Sequence, residues 1–265
     1  MDKRTPTQTL RVILVVFEVT FKQAATDTFV LFGIFVQPLI IALLALYVLG
    51  ENSAEMAVFI VIGSGLSGLW TNLLFESGNS ITEERWVGTL ESLVGSPTPL
   101  STIVFGKNLA YVTQSLGSMV IAYGLASLIF GYPLSISHPL LFLISIIIAV
   151  LSFVALGMVL ATVFVLNPDI QRMQNGLEFP VFILGGFLFP VALLPQWTTP
   201  LSYILAPYWS AQALHLTSSG STNLDELLLA WIMMIALGLG YLLLARLLFS
   251  KTLRKARADA SLGRQ

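Results

Sequence analysis

The chain has 265 residues, of which 56% are hydrophobic and 10% are charged, and its net charge is −1. A soluble domain carries about 25% charged residues, so this composition and a mean hydropathy of +0.86 exclude an ordinary soluble protein and predict an integral membrane protein. The sequence contains no cysteine and two histidines, which excludes disulfides, thiolate metal sites and a cysteine nucleophile.

The first predicted element is an amphipathic helix over residues 9–24. Its charged residues Arg11, Glu18 and Lys22 share one narrow face, and the last two form an i, i+4 pair. A thin charged stripe beside a broad apolar flank suits the cytoplasmic membrane interface; the alternative is an extension of the first span. The basic start is like that of a signal peptide, but the charged residues interrupt its apolar stretch, so we expect it to be retained.

Six apolar windows are long enough to cross a bilayer. A span needs about 20 apolar residues, since each adds about 1.5 Å to a helix that crosses a core about 30 Å thick. In the fifth window Pro180 and Pro190 flank Gly185 and Gly186, so that helix is expected to kink or break. The six predicted spans are residues 28–49, 56–75, 103–130, 139–165, 176–194 and 224–249.

The positive charges all fall on one side of this arrangement. The connections near residues 50–55, 131–138 and 195–223 contain no lysine or arginine. By the positive-inside rule, both termini and the links after the second and fourth spans are then cytoplasmic. The basic residues are Lys3, Arg4, Arg11, Lys22, Arg85, Lys107, Arg172, Arg246, Lys251, Arg254, Lys255, Arg257 and Arg264.

The cytoplasmic link after the second span is predicted to contain a helix over residues 81–94. Ser80 and Glu83 form an S-x-x-E capping box at its start, and Gly95 with Pro97 supplies its end. A helix of about fourteen residues is too short to span the membrane. We therefore expect it to lie flat on the membrane or to dock against another protein.

The outer connection at residues 189–214 is rich in aromatic residues and prolines. The prolines divide it into pieces of a turn or two, and Trp197 is one of several rings of the kind enriched at the level of the headgroups. We predict short re-entrant helices that dip into the outer leaflet. After the last span, a basic tail at residues 250–265 is expected to meet anionic headgroups on the cytoplasmic side.

Few polar residues lie within the spans, and Glu178 is the main candidate for a function there. It either pairs with Arg172 or reaches water, or else it acts at a cytoplasmic gate. The residues proposed for a substrate path or gate are Gln37, Glu178, Phe182, Phe189 and Trp197. The residues expected to join helices by hydrogen bonds are Gln37, Asn72, Asn108 and Gln114, and those expected at the outer surface are His138 and His215.

The sequence contains no motif for nucleotide binding or for hydrolysis. Gly106 and Lys107 lack the upstream glycine and the following Ser or Thr of a P-loop, and residues 63–65, Gly-Ser-Gly, lack the frame of a nucleophile turn. The spans also lack the relay of ionisable groups that ion-coupled machines use. A transporter built on this chain would therefore need an external source of energy.

Residues 81–111, ITEERWVGTLESLVGSPTPLSTIVFGKNLAY, resemble the region after the second span in permeases of the ABC transporter type-2 family. The pattern is E-R-x-x-G-T-L-E, then S-P and a later G-K. A second stretch, GGFLFPVALLPQWTTPLSYILAPYWSAQAL, is similar to the outer segment of that family. The first match is carried by Glu84, Arg85, Gly88, Thr89, Leu90, Glu91, Ser96, Pro97, Gly106 and Lys107.

The resemblance implies a single transmembrane permease domain over residues 1–265. It would pair with a second permease, identical or homologous, and with two ABC ATP-binding subunits that hold ATP and Mg²⁺. This chain is expected to bind no cofactor, metal or nucleic acid, and to have no catalytic residue. The helix at 81–94 would be the coupling helix seated in a cleft of the ATPase, with its contacts made by Glu83, Glu84, Arg85, Gly88, Thr89, Leu90, Glu91 and Pro97.

These observations favour the permease subunit of an ATP-driven exporter in a bacterial-type inner membrane. The sparse charge of the spans and the aromatic outer segment favour a hydrophobic or amphiphilic cargo, such as a drug or a lipid-like molecule. Export of polysaccharide or sodium by the same family is the nearest alternative. From other classes come a non-transporting anchor or sensor subunit and an intramembrane lipid-modifying enzyme, although the enzyme would need clustered His, Asp or Arg.

Overall fold

Helices make up every regular element in the part of the chain that the structure describes. The structure is a computed structural model, and it describes residues 6–32, 36–49, 54–130, 136–187, 189–218 and 223–262. No strand occurs among these residues, which confirms the predicted all-α class. The charged residues Lys3, Arg4 and Arg264 and most of the first two outer connections lie outside the described residues.

Three helical segments within the described residues are long and apolar enough to cross a membrane: Val58–Val87, Pro139–Leu166 and Leu224–Thr252. The chain is therefore a membrane protein by length and composition of its helices as well as by overall composition. The full set of six crossings stays a prediction, and its first span contains residues 33–35, which are outside the described residues.

The N-terminal part of the chain consists of α1 (Pro6–Ala24), α2 (Thr28–Leu31), α3 (Gln37–Leu49) and α4 (Ala54–Asn72). Helix α1 contains the predicted helix at residues 9–24. The side chains of Glu18 and Lys22 on α1 form an exposed ion pair at 2.6 Å, and this hydrogen-bonded ammonium lowers the pKa of Glu18. The i, i+4 spacing thus produces the contact that the sequence predicts.

Helix α1 lies against α7 (Leu100–Phe130), and a glycine makes the close approach possible. A β-carbon at Gly106 of α7 would lie 3.0 Å from the backbone oxygen of Ile13 and 3.0 Å from the Cβ of Val16. Both neighbours belong to α1, so any larger side chain at this position would push the two helices apart. The packing holds α1 beside the start of the third predicted span.

A π-helical turn, Leu73–Ser77, continues α4 towards the link that follows the second predicted span. It packs on α8 (Pro139–Leu166), where a β-carbon at Gly157 would lie 2.9 Å from Leu73 Cδ1 and 3.1 Å from Ser77 Cβ. A π turn contains one residue more than an α turn and occurs often at functional sites. Here it joins the second predicted span to the residues that follow it.

The link after the π turn forms a hairpin of two short helices, α5 (Thr82–Val87) and α6 (Leu90–Gly95). The prediction of one continuous helix over residues 81–94 is wrong, because Gly88 adopts a left-handed backbone with φ of 79° and ends α5. Glycine is the residue that adopts this conformation without a steric penalty. We refer to residues 82–95 as the hairpin.

The predicted capping box at the start of the hairpin is also wrong. The hydroxyl of Ser80 donates to the backbone oxygen of Ser77 at 2.8 Å, so it closes the end of the preceding π turn instead of capping α5. The residue at the N-cap position of α5 is Ile81, which makes no side-chain capping bond. The S-x-x-E pattern is present, but the serine hydroxyl bonds to the preceding helical turn.

The C-terminal half begins with α8, whose first residue, Pro139, has a backbone preset for the first helical position. Helix α9 (Pro168–Arg172) and helix α10 (Gln174–Leu184) follow. Of the predicted fifth span at residues 176–194, only the first half is regular helix. The helix ends at Gly185, and Gly186 takes a φ of 63°, which turns the chain.

The predicted outer connection contains two 3-10 turns, Val191–Leu193 and Gln196–Thr198, and then α11 (Thr199–Tyr203) and α12 (Ala206–Ser218). The short pieces follow the prolines as predicted, except that α12 runs for 13 residues. The last helix, α13 (Leu224–Leu262), has 39 residues and packs along α8 and α12.

One side chain of α13 fastens the break between α11 and α12. The hydroxyl of Tyr241 donates to the backbone oxygen of Ile204 at 3.1 Å and accepts from the backbone N–H of Ala206 at 3.3 Å. These backbone groups have no partner within a helix at such a break, so the phenol replaces the bonds that a continuous helix would make. The main core lies between α4, α7, α8, α12 and α13, around fully buried side chains that include Phe153, Phe164 and Phe187.

Candidate functional site

The hairpin is fixed to α7 through the carboxylate of Glu84. Lys107 of α7 places its ammonium 2.5 Å from Glu84 Oε1, and the hydroxyl of Thr89 donates to Glu84 Oε2. Lys107 Nζ also lies 3.4 Å from the backbone oxygen of Ser80. Three residues of the E-R-x-x-G-T-L-E and G-K patterns therefore meet at one carboxylate.

The ion pair between Glu84 and Lys107 is partly withdrawn from water. The side chains of Glu84 and Lys107 keep 21% and 12% of their accessible surface, in contrast to the exposed pair on α1. Partial burial strengthens the attraction between charges and makes an unpaired charge expensive. This ion pair thus fixes the hairpin against α7. Substitution of either partner alone would leave a partly buried charge unpaired.

The rest of the hairpin divides into an anchored side and a free side. Leu90 is buried at 9% exposure, whereas Trp86 and Val87 are 72% and 71% exposed. These apolar residues lie on different sides of the hairpin, because the turn at Gly88 separates them. Of the other residues proposed for coupling, Glu83, Arg85, Thr89, Glu91 and Pro97 are exposed along the hairpin and the turn after it.

A second polar site lies between α3, α4 and α10, at the residues Gln37, Thr71 and Glu178, which we call the polar triad. Thr71 Oγ1 donates to Glu178 Oε1 at 2.5 Å, and Gln37 Nε2 lies 3.2 Å from the same oxygen and 3.4 Å from Thr71 Oγ1. Glu178 is only 8% exposed. The interhelical hydrogen bond predicted for Gln37 is confirmed.

Glu178 does not pair with Arg172, the partner that the sequence suggested. Arg172 Nη1 lies 3.2 Å from Asp169 Oδ1 on the exposed helix α9, so the proposed pairing of Glu178 with Arg172 is wrong. The prediction that the Glu178 side chain reaches bulk water is also wrong, because the carboxylate lies between three helices. The remaining hypothesis for Glu178, a role in a path or gate, stays a prediction.

The aromatic residues proposed for the path lie in separate elements. Phe182 is on α10 with Glu178, and its ring is 6.0 Å from that of Phe179 and 6.1 Å from that of Phe187. Phe189 follows the glycine turn and is half-buried, and Trp197 is 72% exposed in a 3-10 turn. The structure thus brings Gln37 and Glu178 together and places Phe182 on the same helix.

Other polar residues of the helices behave in two ways. The amide of Asn72 donates to Tyr111 O at 3.0 Å and to Ser115 Oγ at 2.5 Å, so its predicted role in joining helices is confirmed. The amide of Asn108 is buried without a hydrogen-bond partner among the described residues, and its predicted role is wrong. His215 is likewise not a surface residue, because its buried ring stacks on Phe59 at 3.7 Å.

Sequence reasoning missed Thr71 and underestimated Lys107. Thr71 lies 107 positions from Glu178 in an apolar stretch, where threonine is ordinary and carries no signal. Lys107 is noticeable in the sequence as the single basic residue of the third predicted span. The sequence does not indicate, however, that the folded hairpin places Glu84 beside it. Among the described residues, no three side chains of His, Asp or Glu converge on a metal site.

Comparison with known proteins gives two matches. The family described as ABC-2 type transporter matches residues 11–217 of the chain. ABC transporter G family member 20 of Dictyostelium discoideum is 26% identical over 149 residues, which is 56% of this chain and 19% of that protein. The chain thus spans about a fifth of the length of this curated relative. The family match contains both the hairpin and the polar triad.

Proposed function

The chain belongs to the ABC-2 type transporter family, and from this premise we propose that it is the permease subunit of an ATP-driven exporter. The family domain is the transmembrane permease component of an ABC transporter. We propose that ATP and Mg²⁺ bind to a separate ATP-binding subunit present in two copies, and that the permease pairs with a second permease. The name of the Dictyostelium relative, an ABC transporter, is in keeping with this assignment.

The observation that carries the proposal is the form of the hairpin. Its buried side is fastened to α7 by Glu84 and Lys107, and its free side presents the exposed side chains of Trp86 and Val87. Exposed tryptophan next to aliphatic surface is typical of protein interfaces. A partner that binds this surface and moves would displace α7 as well. The ion pair and the packing of Leu90 make the hairpin and α7 move as one rigid body.

We propose the predicted topology of six crossings in a bacterial-type inner membrane, with both termini cytoplasmic. Helix α1 would lie at the cytoplasmic interface, since it shows exposed Leu10, Leu14 and Val19 beside its charged stripe. The outer connection would be re-entrant. Tyr241 lies about 25 Å along α13 from its first residue at 1.5 Å per residue, so its bonds to the turn between α11 and α12 support a segment that enters the bilayer from outside.

A hydrophobic or amphiphilic cargo agrees best with the lining available to a path. The exposed side of α10 carries Leu177, Phe179 and Ile183, and the outer connection adds exposed Trp197 and Tyr203. Such surfaces bind apolar molecules by burial of area and by ring contacts. We therefore favour drugs or lipid-like molecules over polysaccharide or sodium as the exported substrate.

The proposal is tested by replacing one exposed tryptophan and using another as its control. Trp86→Ser removes the proposed interface residue, and Trp197→Ser removes a ring of the same 72% exposure on the outer side. Truncation of an interface tryptophan typically costs about 2 kcal/mol or more, which is about 30-fold in Kd. We expect Trp86→Ser to weaken binding of the ATP-binding subunit by that factor and to abolish permease-stimulated ATP hydrolysis, while Trp197→Ser leaves both unchanged.

The measurements are binding of the purified ATP-binding subunit to the permease in lipid nanodiscs, and ATP hydrolysis by the assembled complex. Equal effects of the two variants, or an unchanged affinity for Trp86→Ser, would show that the hairpin is not the docking surface. Failure of any ATP-binding subunit to associate with the wild-type permease would refute the transporter assignment itself.

A further inference from the structure

Glu178 of the polar triad is a buried carboxylate that lacks a counter-charge. It is 8% exposed, and no ion pair among the described residues includes it. Buried carboxylates in proteins are almost always paired with a cation, because an isolated charge in a low-dielectric region is costly. A cation that comes from elsewhere would complete this site.

Two hydrogen-bond donors hold the carboxylate at one of its oxygens. Thr71 Oγ1 and Gln37 Nε2 both approach Oε1, and both of them have hydrogens to donate. Both hydrogen bonds that the described residues make to this carboxylate end on Oε1, so Oε2 is left for a ligand.

The basic residues near the triad in sequence are already engaged. Arg172, one and a half turns before Glu178, pairs with Asp169. Lys107, on the helix next to α4, pairs with Glu84, and Lys22 pairs with Glu18. These three cations are thus engaged elsewhere, and no ion pair among the described residues supplies Glu178 with a counter-charge.

Two aromatic residues, Phe179 and Phe182, follow Glu178 on α10. Phe182 follows Glu178 by one helical turn, so the two share a face of the helix, and its ring meets that of Phe179 edge to face at 6.0 Å. Phe179 itself is 62% exposed. A carboxylate beside phenyl rings suits an organic cation, because the charge is met by the carboxylate and the apolar body by the ring faces.

We propose that the polar triad is a binding site for the positively charged centre of an amphiphilic cargo, with Glu178 as the counter-charge and the rings of α10 as the apolar wall. This inference rests on the proposed transport function and names the cargo class as cationic amphiphiles. Gln37 and Thr71 hold the carboxylate in place. They join α3, α4 and α10, so occupation of the site alters a contact among three helices.

The test measures binding of a lipophilic cation, tetraphenylphosphonium, to the purified full-length permease in nanodiscs without any ATP-binding subunit. Triphenylphosphine oxide serves as the neutral ligand with similar rings. Glu178→Gln removes the charge and keeps an acceptor oxygen for both donors. Glu226→Gln, at an exposed site on α13, controls for the loss of one negative charge from the protein.

We expect Glu178→Gln to weaken binding of tetraphenylphosphonium by about tenfold or more, as for a lost charge pair in a desolvated site. Binding of triphenylphosphine oxide should not change, and Glu226→Gln should bind both ligands like the wild type. A second variant, Glu178→Asp, keeps the negative charge on a shorter side chain, and it should recover part of the cation binding that Glu178→Gln loses. Better cation binding by Glu178→Asp than by the isosteric Glu178→Gln is a pattern that a purely structural triad does not produce.

Three results would overturn the inference. Equal loss of both ligands in both triad variants would make the triad a packing element. Unchanged cation binding in Glu178→Gln would remove the carboxylate from recognition. Displacement of tetraphenylphosphonium by sodium, but not by N-methylglucamine at the same ionic strength, would assign the site to an inorganic cation. Because the assay contains no ATP-binding subunit, none of these outcomes bears on the docking of the hairpin.

Discussion

Replacing Gly157 with alanine is expected to destabilise the protein, although glycine is a poor residue for the middle of a helix. A β-carbon at this position of α8 would lie 2.8 Å from Asn108 Nδ2, 2.9 Å from Leu73 Cδ1 and 3.1 Å from Ser77 Cβ. These neighbours belong to α7 and to the π turn, so relief of one contact presses the methyl group into another. The clash therefore falls on the junction of three helical segments.

The magnitude follows from two opposing effects. Overpacking of a tight core costs about 1–3 kcal/mol, and the gain from glycine to alanine in a helix is about 0.5–1 kcal/mol. The net loss for Gly157→Ala is thus about 0–2.5 kcal/mol. Gly240→Ala on α13 is the matched control, because a β-carbon there meets no atom within 4 Å, and it should gain about 0.5–1 kcal/mol.

The assay is equilibrium unfolding of the two variants and the wild type in mixed detergent micelles, followed by helical circular dichroism. The free energies of unfolding of Gly157→Ala and Gly240→Ala should differ by about 1–3 kcal/mol, with the wild type between them. If Gly157→Ala is as stable as Gly240→Ala, the close packing of the π turn on α8 is not a feature of the folded protein, and the reasoning fails.

Three further predictions concern single side chains. Gly88→Ala places a side chain at a φ of 79°, and the backbone strain alone should cost about 1 kcal/mol. The strain should be measured as weaker binding of the ATP-binding subunit. The control variant Gly95→Ala, at ordinary φ and in equally open space, should bind that subunit normally. Asn72→Ala should lower the free energy of unfolding by about 1–3 kcal/mol, whereas Asn108→Ala, which removes a buried amide without a partner, should lower it less. Tyr241→Phe should accelerate hydrogen exchange of the amide at the break between α11 and α12, and unchanged exchange would refute the bond that holds it.

Sequence reasoning performed well where a local signal determines an element. Helix α8 was predicted at residues 139–165 and is found at Pro139–Leu166, because a proline opens an uninterrupted apolar stretch and Asn167 follows it. Proline and glycine likewise predicted the break in the predicted fifth span and the short helical pieces of residues 189–214. In each case the deciding residue lies within the element that it shapes.

It failed where a residue has two possible partners or where the partner is distant in the chain. Ser80 satisfies the pattern of a capping box, yet its hydroxyl serves the preceding π turn, which no sequence rule would have placed there. Glu178 was given the nearest arginine as its partner, and its actual partners come from two other helices. His215 was expected at the outer surface, because nothing in the sequence indicates that α12 places its ring against Phe59.

The π turn at Leu73–Ser77 has a consequence for changes in the length of the chain. Removing one residue from a π turn leaves an ordinary α turn, so the helices on either side keep their orientation. The same deletion a few residues earlier, within α4, would rotate everything downstream by about 100° about the helix axis and turn the hairpin away from α7. A scan of single-residue deletions from Leu66 to Ser77 should therefore retain ion pairing between Glu84 and Lys107 only in its last five positions, and relatives of this protein can differ by one residue there without loss of the hairpin's position.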